Sequence, residues 1–219
     1  MKIIEPSYQI LYAPEDACPH CGHELDGAYK RIERIGRVAY KSEDQITPES
    51  AEKFVEMLVG RKHWPVFDHV HVSVLWVMNR GISHELVRHR VAAYLQESTR
   101  FCNYSKGKFD GECSFIRPEE FLPGSEDHDL WTYQMGQMEQ WYLGWLARGK
   151  KPDRARGVLP NDLKTEIVST FDFTEWRHVF SLRTAPVAHP QMRQLTRPLL
   201  REFAARWPKI FSDLLPKES

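Results

Sequence analysis

Four cysteines in 219 residues, Cys18, Cys21, Cys102 and Cys113, are too few for a disulfide scaffold at this length and fit reduced thiols. No stretch approaches the roughly 18 to 20 consecutive apolar residues of a membrane-spanning helix. The first residues, MKIIEPSYQILYAPED, lack the basic start and apolar run of a secretory leader, so a cytoplasmic location is expected. There is no excess of either charge: 30 basic and 30 acidic residues cancel, so no global field draws the chain to nucleic acid or to an anionic membrane. Any anion site must be local. Internal repeats, low-complexity tracts and Gly/Ser linkers are also missing, which points to one domain over residues 1–219.

What is present is core-forming material, 42% hydrophobic and 12% aromatic residues, which argues against disorder. Residues 13–27 are rich in Pro, Cys, His, Asp and Gly and read as an irregular loop. Thr47, Pro48 and Glu49 look like an N-cap, a first-turn proline and a dipole-matching acid, and the apolar spacing that follows predicts a helix to about Gly60. His69 to Met78 alternates and then turns continuously apolar, as a largely buried strand does. After a turn at Asn79 to Gly81, Ser83 is placed to cap a helix carrying Glu85, Arg88 and His89, one that LVRHRVAAYLQES can extend. Asp127 to Arg148 carries Trp131, Met135, Met138, Trp141, Tyr142 and Trp145 at helical spacing and is read as core scaffold. Glu166 to Phe173 suggests a strand, Thr174 to Arg183 a helix, and Ala188 to Arg206 a helix interrupted or ended near Pro198. The expected fold class is α+β, a mixed sheet with flanking helices.

The segment with chemical character is Arg88-His89-Arg90, with Ser98 and Arg100 downstream. On a helix Arg88 and Arg90 would point in different directions and reach different ligands or different subunits. Guanidinium groups fork onto phosphate or carboxylate, and Ser98, Thr99 and nearby amides can complete an anion cradle. The competing reading of such a run is a solvated basic helix face. Ser98 reads either as a nucleophile or as a hydroxyl ligand, and the absence of a His/Asp pair at recognisable spacing favours the ligand. Cys102 lies close to Ser98, but a small buried hydrophobe is its simpler reading. Cys18 and Cys21, with His20 and His23 beside them, have half the ligand pattern of a zinc site, the alternative being a reduced loop.

The segment RHRVAAYLQES, an Arg-His-Arg, then seven residues, then Ser, resembles the signature of the flavin-dependent thymidylate synthases. The resemblance extends through RGISHELVRHR and ESTRFCNYS and reappears at DRARGVLPNDLKTEIV, EWRHVFSLRT and AHPQMRQL. It implies a homotetramer with active sites at subunit interfaces, and reductive methylation of dUMP to dTMP with methylenetetrahydrofolate as carbon donor, FAD as hydride carrier and NADPH as reductant. Under that resemblance Arg183 is the catalytic cation at the uracil ring. Glu85, Arg88, Gln96, Glu97, Ser98, Thr99, Arg100, Arg156 and Arg183 correspond to nucleotide-binding positions. His63, Arg88, His89, Arg90, Asp172, Thr174 and His178 correspond to FAD-contacting positions. No catalytic cysteine is implied.

The chain departs from the commonest pattern at several places. Glu85 stands where a Gln often does, Ala93 and Leu95 replace a Ser and an Asn, and Gln96 replaces a Glu. Asp172-Phe173-Thr174 stands where many members have Asn-x-Arg at the flavin, exchanging a neutral and a positive group for an acid and a hydroxyl. Two rival expectations follow: a flavin enzyme that transfers a methyl or hydroxymethyl group to another pyrimidine nucleotide, or a non-catalytic nucleotide-binding homologue.

Overall fold

A computed structural model describes residues 1–15 and 27–216. The proposed zinc ligands Cys18 and Cys21 lie outside the described residues. The chain begins with two strands, β1 (Lys2–Ile4) and β2 (Ser7–Tyr12), and two helices, α1 (Ala28–Val38) and α2 (Ser50–Gly60). Its middle holds β3 (His71–Asn79), α3 (Arg80–Leu86), β4 (Ala93–Gln96), β5 (Ser114–Ile116), α4 (Glu126–Ala147) and α5 (Pro152–Ala155). It ends with β6 (Lys164–Asp172), α6 (Phe173–Arg183), α7 (Pro190–Arg206) and α8 (Pro208–Phe211).

The main sheet has four strands in the order β2-β3-β6-β4, and every pairing in it is antiparallel. Among the described residues parallel pairing is confined to a separate two-stranded sheet of β1 and β5, so the expected single mixed sheet is corrected to two sheets of opposite kind. The α+β mixture itself is as expected.

β3 places Val72, Val74, Trp76 and Met78 on one fully buried face. Its other face, with Leu75 and Val77, is half-buried, so the burial alternates with period two through the stretch where the sequence turns continuously apolar, in a strand that is largely buried as expected. Trp76 donates its indole N–H to Ser169 Oγ at 2.8 Å, which ties β3 to β6 through the core. Against this face pack α6 and α7, whose Trp176, Phe180 and Phe203 form, with Phe171 of β6, edge-to-face, tilted and stacked contacts between 4.7 and 5.4 Å. A second cluster gathers around Tyr104, Cys113, Phe115, Trp131, Met135 and Tyr142. Cys113 lies in it fully buried, and burial pushes its thiol up to about 12.

Four sequence expectations shift. The helix expected from Thr47 starts at Ser50, whose hydroxyl sits 2.9 Å from Glu33 Oε2 and 3.0 Å from the Thr47 carbonyl, drawing the preceding turn out of helix. The helix expected to begin at Ser83 begins at Arg80, capped by Asn79, whose Oδ1 accepts the Ile82 amide at 2.8 Å. That helix does not extend past Leu86: residues 93–96 pair with β6 instead, Tyr94 opposite Ser169 and Leu95 opposite Val168, so sheet pairing overrides a helix-competent sequence. The helix over the C-terminal third is not broken at Pro198, because Leu195, Leu199, Leu200 and Phe203 are all buried and that packing outweighs the roughly 3 kcal/mol cost of an internal proline. In α4 only part of the aromatic stripe is core. Trp131, Met135 and Tyr142 are buried, whereas Trp141 and Trp145 are 54% and 41% exposed.

Candidate active site

The antiparallel register brings α3, the loop after it and α6 to one end of the sheet. Asp172, the last residue of β6, caps α6 through Oδ1, which accepts the Glu175 amide at 2.7 Å. That cap starts α6 so that Glu175, His178 and Arg183 reach the loop carrying His89.

His89 is nearly fully buried. Its Nε2 lies 2.9 Å from Arg183 Nε, and its Nδ1 lies 3.1 Å from Glu175 Oε1. An arginine N–H can only donate, so Nε2 is the acceptor and the imidazole proton sits on Nδ1, facing Glu175. Burial first, then the charge of Arg183 and the proximity of His178, lowers His89 to about 4, so the ring is neutral at neutral pH and its contact with Glu175 is a hydrogen bond and not an ion pair. Glu175 itself is raised to about 7, mainly by burial and then by the neighbouring Asp172 carboxylate.

Arg183 is held from a second side by Glu85. Its Nη1 donates to the Glu85 carboxylate at 2.8 Å and its Nη2 to the Glu85 carbonyl at 2.9 Å. Three of the five N–H groups of the guanidinium are thereby committed within the chain and two remain, on a side chain that is 19% exposed. The Tyr94 hydroxyl lies 2.8 Å from the Leu86 carbonyl and 2.9 Å from that of His89, holding the loop between α3 and β4 in place.

The donor atoms of His89, Glu175 and His178 lie within 4.8 Å of one another, a spacing compatible with a metal ion. Both nitrogens of His89 are already engaged, however, so the hydrogen-bonded chain accounts for this cluster without one.

The other residues expected at a nucleotide site lie at the end of β4 and just after it. The Gln96 amide donates to Ser83 Oγ at 2.9 Å and Thr165 Oγ1 at 3.1 Å, which joins this strand to α3. Glu97 receives Lys164 Nζ and the Tyr104 hydroxyl, both at 2.9 Å. Ser98 Oγ accepts the Arg100 amide at 3.3 Å, a turn-forming bond rather than the partner of a general base. Arg156 Nη1 donates to Thr99 Oγ1 at 3.1 Å, and Arg100 lies exposed over the Phe101 ring.

Arg88 and Arg90 are exposed, and neither guanidinium has a partner among the described residues. They extend from a loop and not, as expected, from a helix. Asp172 and Thr174 are partly committed inside the fold, Asp172 as the cap and Thr174 through a 3.3 Å bond to the Trp64 carbonyl. That second bond places the start of α6 beside the turn that follows His63. His63 lines a different cavity, of about 700 Å³, with Arg37, Lys53, Phe54 and Arg61. His178 is exposed at the mouth of the cluster, its ring edge-on to His89 at 5.6 Å.

Sequence reasoning missed Glu175 and Tyr94. Asp172-x-x-Glu175 has the spacing of a helix-start motif, which hides the second use of the glutamate. Tyr94 looks like any half-buried strand residue.

A family model described as thymidylate synthase complementing protein matches residues 23–209. A flavin-dependent thymidylate synthase of Pyrococcus furiosus is 28% identical over 172 residues, covering 78% of this chain and 70% of its own. One from Mycolicibacterium vanbaalenii is 29% identical over 202 residues, covering 87% and 81%. Among solved structures, the UMP/dUMP methylase PolB from Streptomyces cacaoi, bound with 5-Br dUMP, superposes with a TM-score of 0.74 over 97% of this chain and 96% of its own at 19% identity, a likeness of fold. With the signature segment, its flanks and the later blocks all inside the matched span, the chain belongs to the thymidylate synthase complementing protein family.

Proposed function

We propose that the protein is a flavin-dependent thymidylate synthase that methylates dUMP at C5 to give dTMP, with methylenetetrahydrofolate as carbon donor and NADPH as reductant. The observation that carries this reading is Arg183, a permanent cation oriented by Glu85 and His89 with two N–H groups left over. Reaction at C5 of uracil requires negative charge to develop on N3 or O4, and a preorganised cation in a partly desolvated place lowers the cost of that charge. Arginine stays protonated at any accessible pH, so Arg183 acts by electrostatics and hydrogen bonding and not as a base.

The donor set fits an anionic cofactor at Arg88 and Arg90, two exposed guanidiniums without internal partners. His178 offers a ring edge and His89 a buried one beside them. FAD, when bound, supplies the hydride chemistry. The chain positions the rings and phosphates and excludes water. Because Asp172 and Thr174 are drawn into the start of α6, the grip on the flavin phosphates falls mainly to the two arginines.

Subunit association is part of the proposal. Val91, Leu95 and Phe101, which flank the site residues, are 85%, 76% and 77% exposed, an apolar margin suited to cover by further copies of the chain in a homotetramer. Ser98 serves as a nucleotide ligand, and Ser98→Ala is expected to raise KM for dUMP more than it lowers kcat; a large loss of kcat at saturating dUMP with KM unchanged would reverse that role.

The test is the absorption spectrum of the purified protein, followed by anaerobic NADPH and then dUMP with methylenetetrahydrofolate. The proposal expects a bound flavin that bleaches with NADPH and reoxidises as dTMP forms. A protein that takes up no flavin at any FAD concentration, or forms no dTMP, would defeat it. Product analysis with dCMP and UMP in place of dUMP separates it from modification of another pyrimidine.

A further inference from the structure

α4 buries one stripe of side chains, Trp131, Met135, Glu139 and Tyr142, against its own chain. A second stripe is left uncovered. Leu130, Tyr133, Gln137, Trp141, Gly144 and Arg148 follow one another at spacings of three and four residues and so share one face of the helix. Leu130, Tyr133, Trp141 and the adjoining Trp145 are between 41% and 65% exposed. A helix face that ends in solvent carries polar side chains, whereas large apolar groups gathered on one face mark an interaction surface. Together these four expose on the order of 400 Å².

The face is complementary to itself when inverted. Turning α4 end for end about Gln137 exchanges Glu126 with Arg148, Leu130 with Gly144 and Tyr133 with Trp141. Acid then meets base, a large side chain meets none, and aromatic meets aromatic. Gln137 meets its own copy, and a primary amide, being both donor and acceptor, pairs with itself. The signs of the terminal charges also suit the helix dipole. Even so, Glu126, Asp127 and Arg148 have no ion-pair partner among the described residues, and Arg148 lies instead over the Trp145 ring at 5.6 Å. At Gly144 an added Cβ would meet nothing within 4 Å. The hollow there belongs to a cavity of about 390 Å³ walled by Trp141, Trp145 and Val158, a place for an aliphatic side chain that this chain does not supply.

We propose that this face of α4 binds a second copy of the chain. Two α4 helices pack antiparallel about a two-fold axis at Gln137, each Leu130 seated in the hollow at the partner's Gly144 and each Glu126 beside the partner's Arg148. A two-fold contact is made by one patch on both copies, which is the symmetry that this face has by itself. The pair joins roughly 800 Å² of apolar surface, and with its charged ends reaches about the 1,000 Å² that a specific interface requires. α4 rests on the cluster around Tyr104 and Phe115, so this contact is distinct from the apolar margin at Val91, Leu95 and Phe101. It is inferred without reference to the reaction.

The test uses the full-length chain as purified, and neither readout involves turnover. Gln137→Cys is treated with a short bifunctional thiol reagent and the linked peptides are mapped. It should link to its own counterpart and run at twice the chain mass under denaturing conditions. Ala147→Cys, exposed on the same helix but off this face, should not link to itself.

Sedimentation gives the second readout. Trp141→Glu, at an exposed position, should keep the helix content and Tm of the wild type and halve the sedimenting mass. Arg148→Glu should weaken association about tenfold or more, and adding Glu126→Arg to it should restore the pair, which damage to the fold by either substitution would not do. A Gln137→Cys protein that does not link to itself overturns the proposal whatever the mass does. So does a Trp141→Glu protein of wild-type mass, and so does a wild type that sediments as a monomer, in which case the face serves a different protein.

Discussion

Arg183 and Arg80 are two partly buried guanidiniums that the fold treats in opposite ways. Arg183 receives a carboxylate, a carbonyl and an imidazole from its own chain, whereas Arg80 keeps a buried Nη1 without a hydrogen-bond partner among the described residues. The first arrangement fixes a cation in one orientation before any ligand arrives, which is what charge stabilisation in a transition state requires. The second leaves one buried N–H without an acceptor, which is unfavourable for the folded chain.

The comparison breaks most visibly if the oriented arginine is removed. Arg183→Ala is expected to lower kcat by about 100-fold or more, the usual effect of deleting one preorganised donor, while the flavin spectrum is retained. Full turnover in that variant would end the role assigned to Arg183.

Glu175→Gln sharpens the comparison by asking what orients the cation. The amide oxygen can still accept from His89 Nδ1, so turnover should change only a few-fold, but any pH dependence near 7 that belongs to Glu175 should vanish from the rate profile. The stability sign follows from the direction of the shift. A carboxylate raised in the folded state binds its proton more tightly there than in the unfolded chain, so folding loses stability as pH rises from the ordinary glutamate value to about 7. Relative to wild type, Glu175→Gln should therefore gain a few degrees of Tm at pH 8 and nothing below pH 4. His89, lowered to about 4, acts in the other direction, losing stability as pH falls from the ordinary histidine value, so the difference between the two proteins is the informative measurement.

The smallest effect expected is that of Tyr94→Phe. Loss of the hydroxyl that serves the Leu86 and His89 carbonyls should cost about 1 kcal/mol of stability in denaturant unfolding, with no pH dependence from 5 to 8. A loss that grows with pH would mean that the hydroxyl couples to Glu175.

Legibility in the sequence differed between these regions for physical reasons. β3 and β6 were readable because alternation of period two records which face is buried, and α4 because its apolar residues recur at helical spacing. The end of α3 was not readable: LVRHRVAAYLQES is compatible with helix, and only pairing of Tyr94 and Leu95 with β6 pulls it into strand. The outward turn of Trp141 and Trp145 was hidden for a similar reason, since spacing marks a stripe without showing how wide a strip the neighbouring elements cover. Asn79 as the true cap lay four residues before the expected one, in a stretch whose Gly81 suggested a plain turn.

The sequence by itself determined the family and the α+β class, because a signature of fixed spacing and the periodicity of buried faces are both properties of the chain as written. Only the tertiary structure decided how individual side chains are used. The imidazole tautomer of His89, the two free N–H groups of Arg183 and the missing partner of Arg80 Nη1 depend on atoms distant in sequence meeting within about 3 Å, the range in which hydrogen bonds and charge compensation operate.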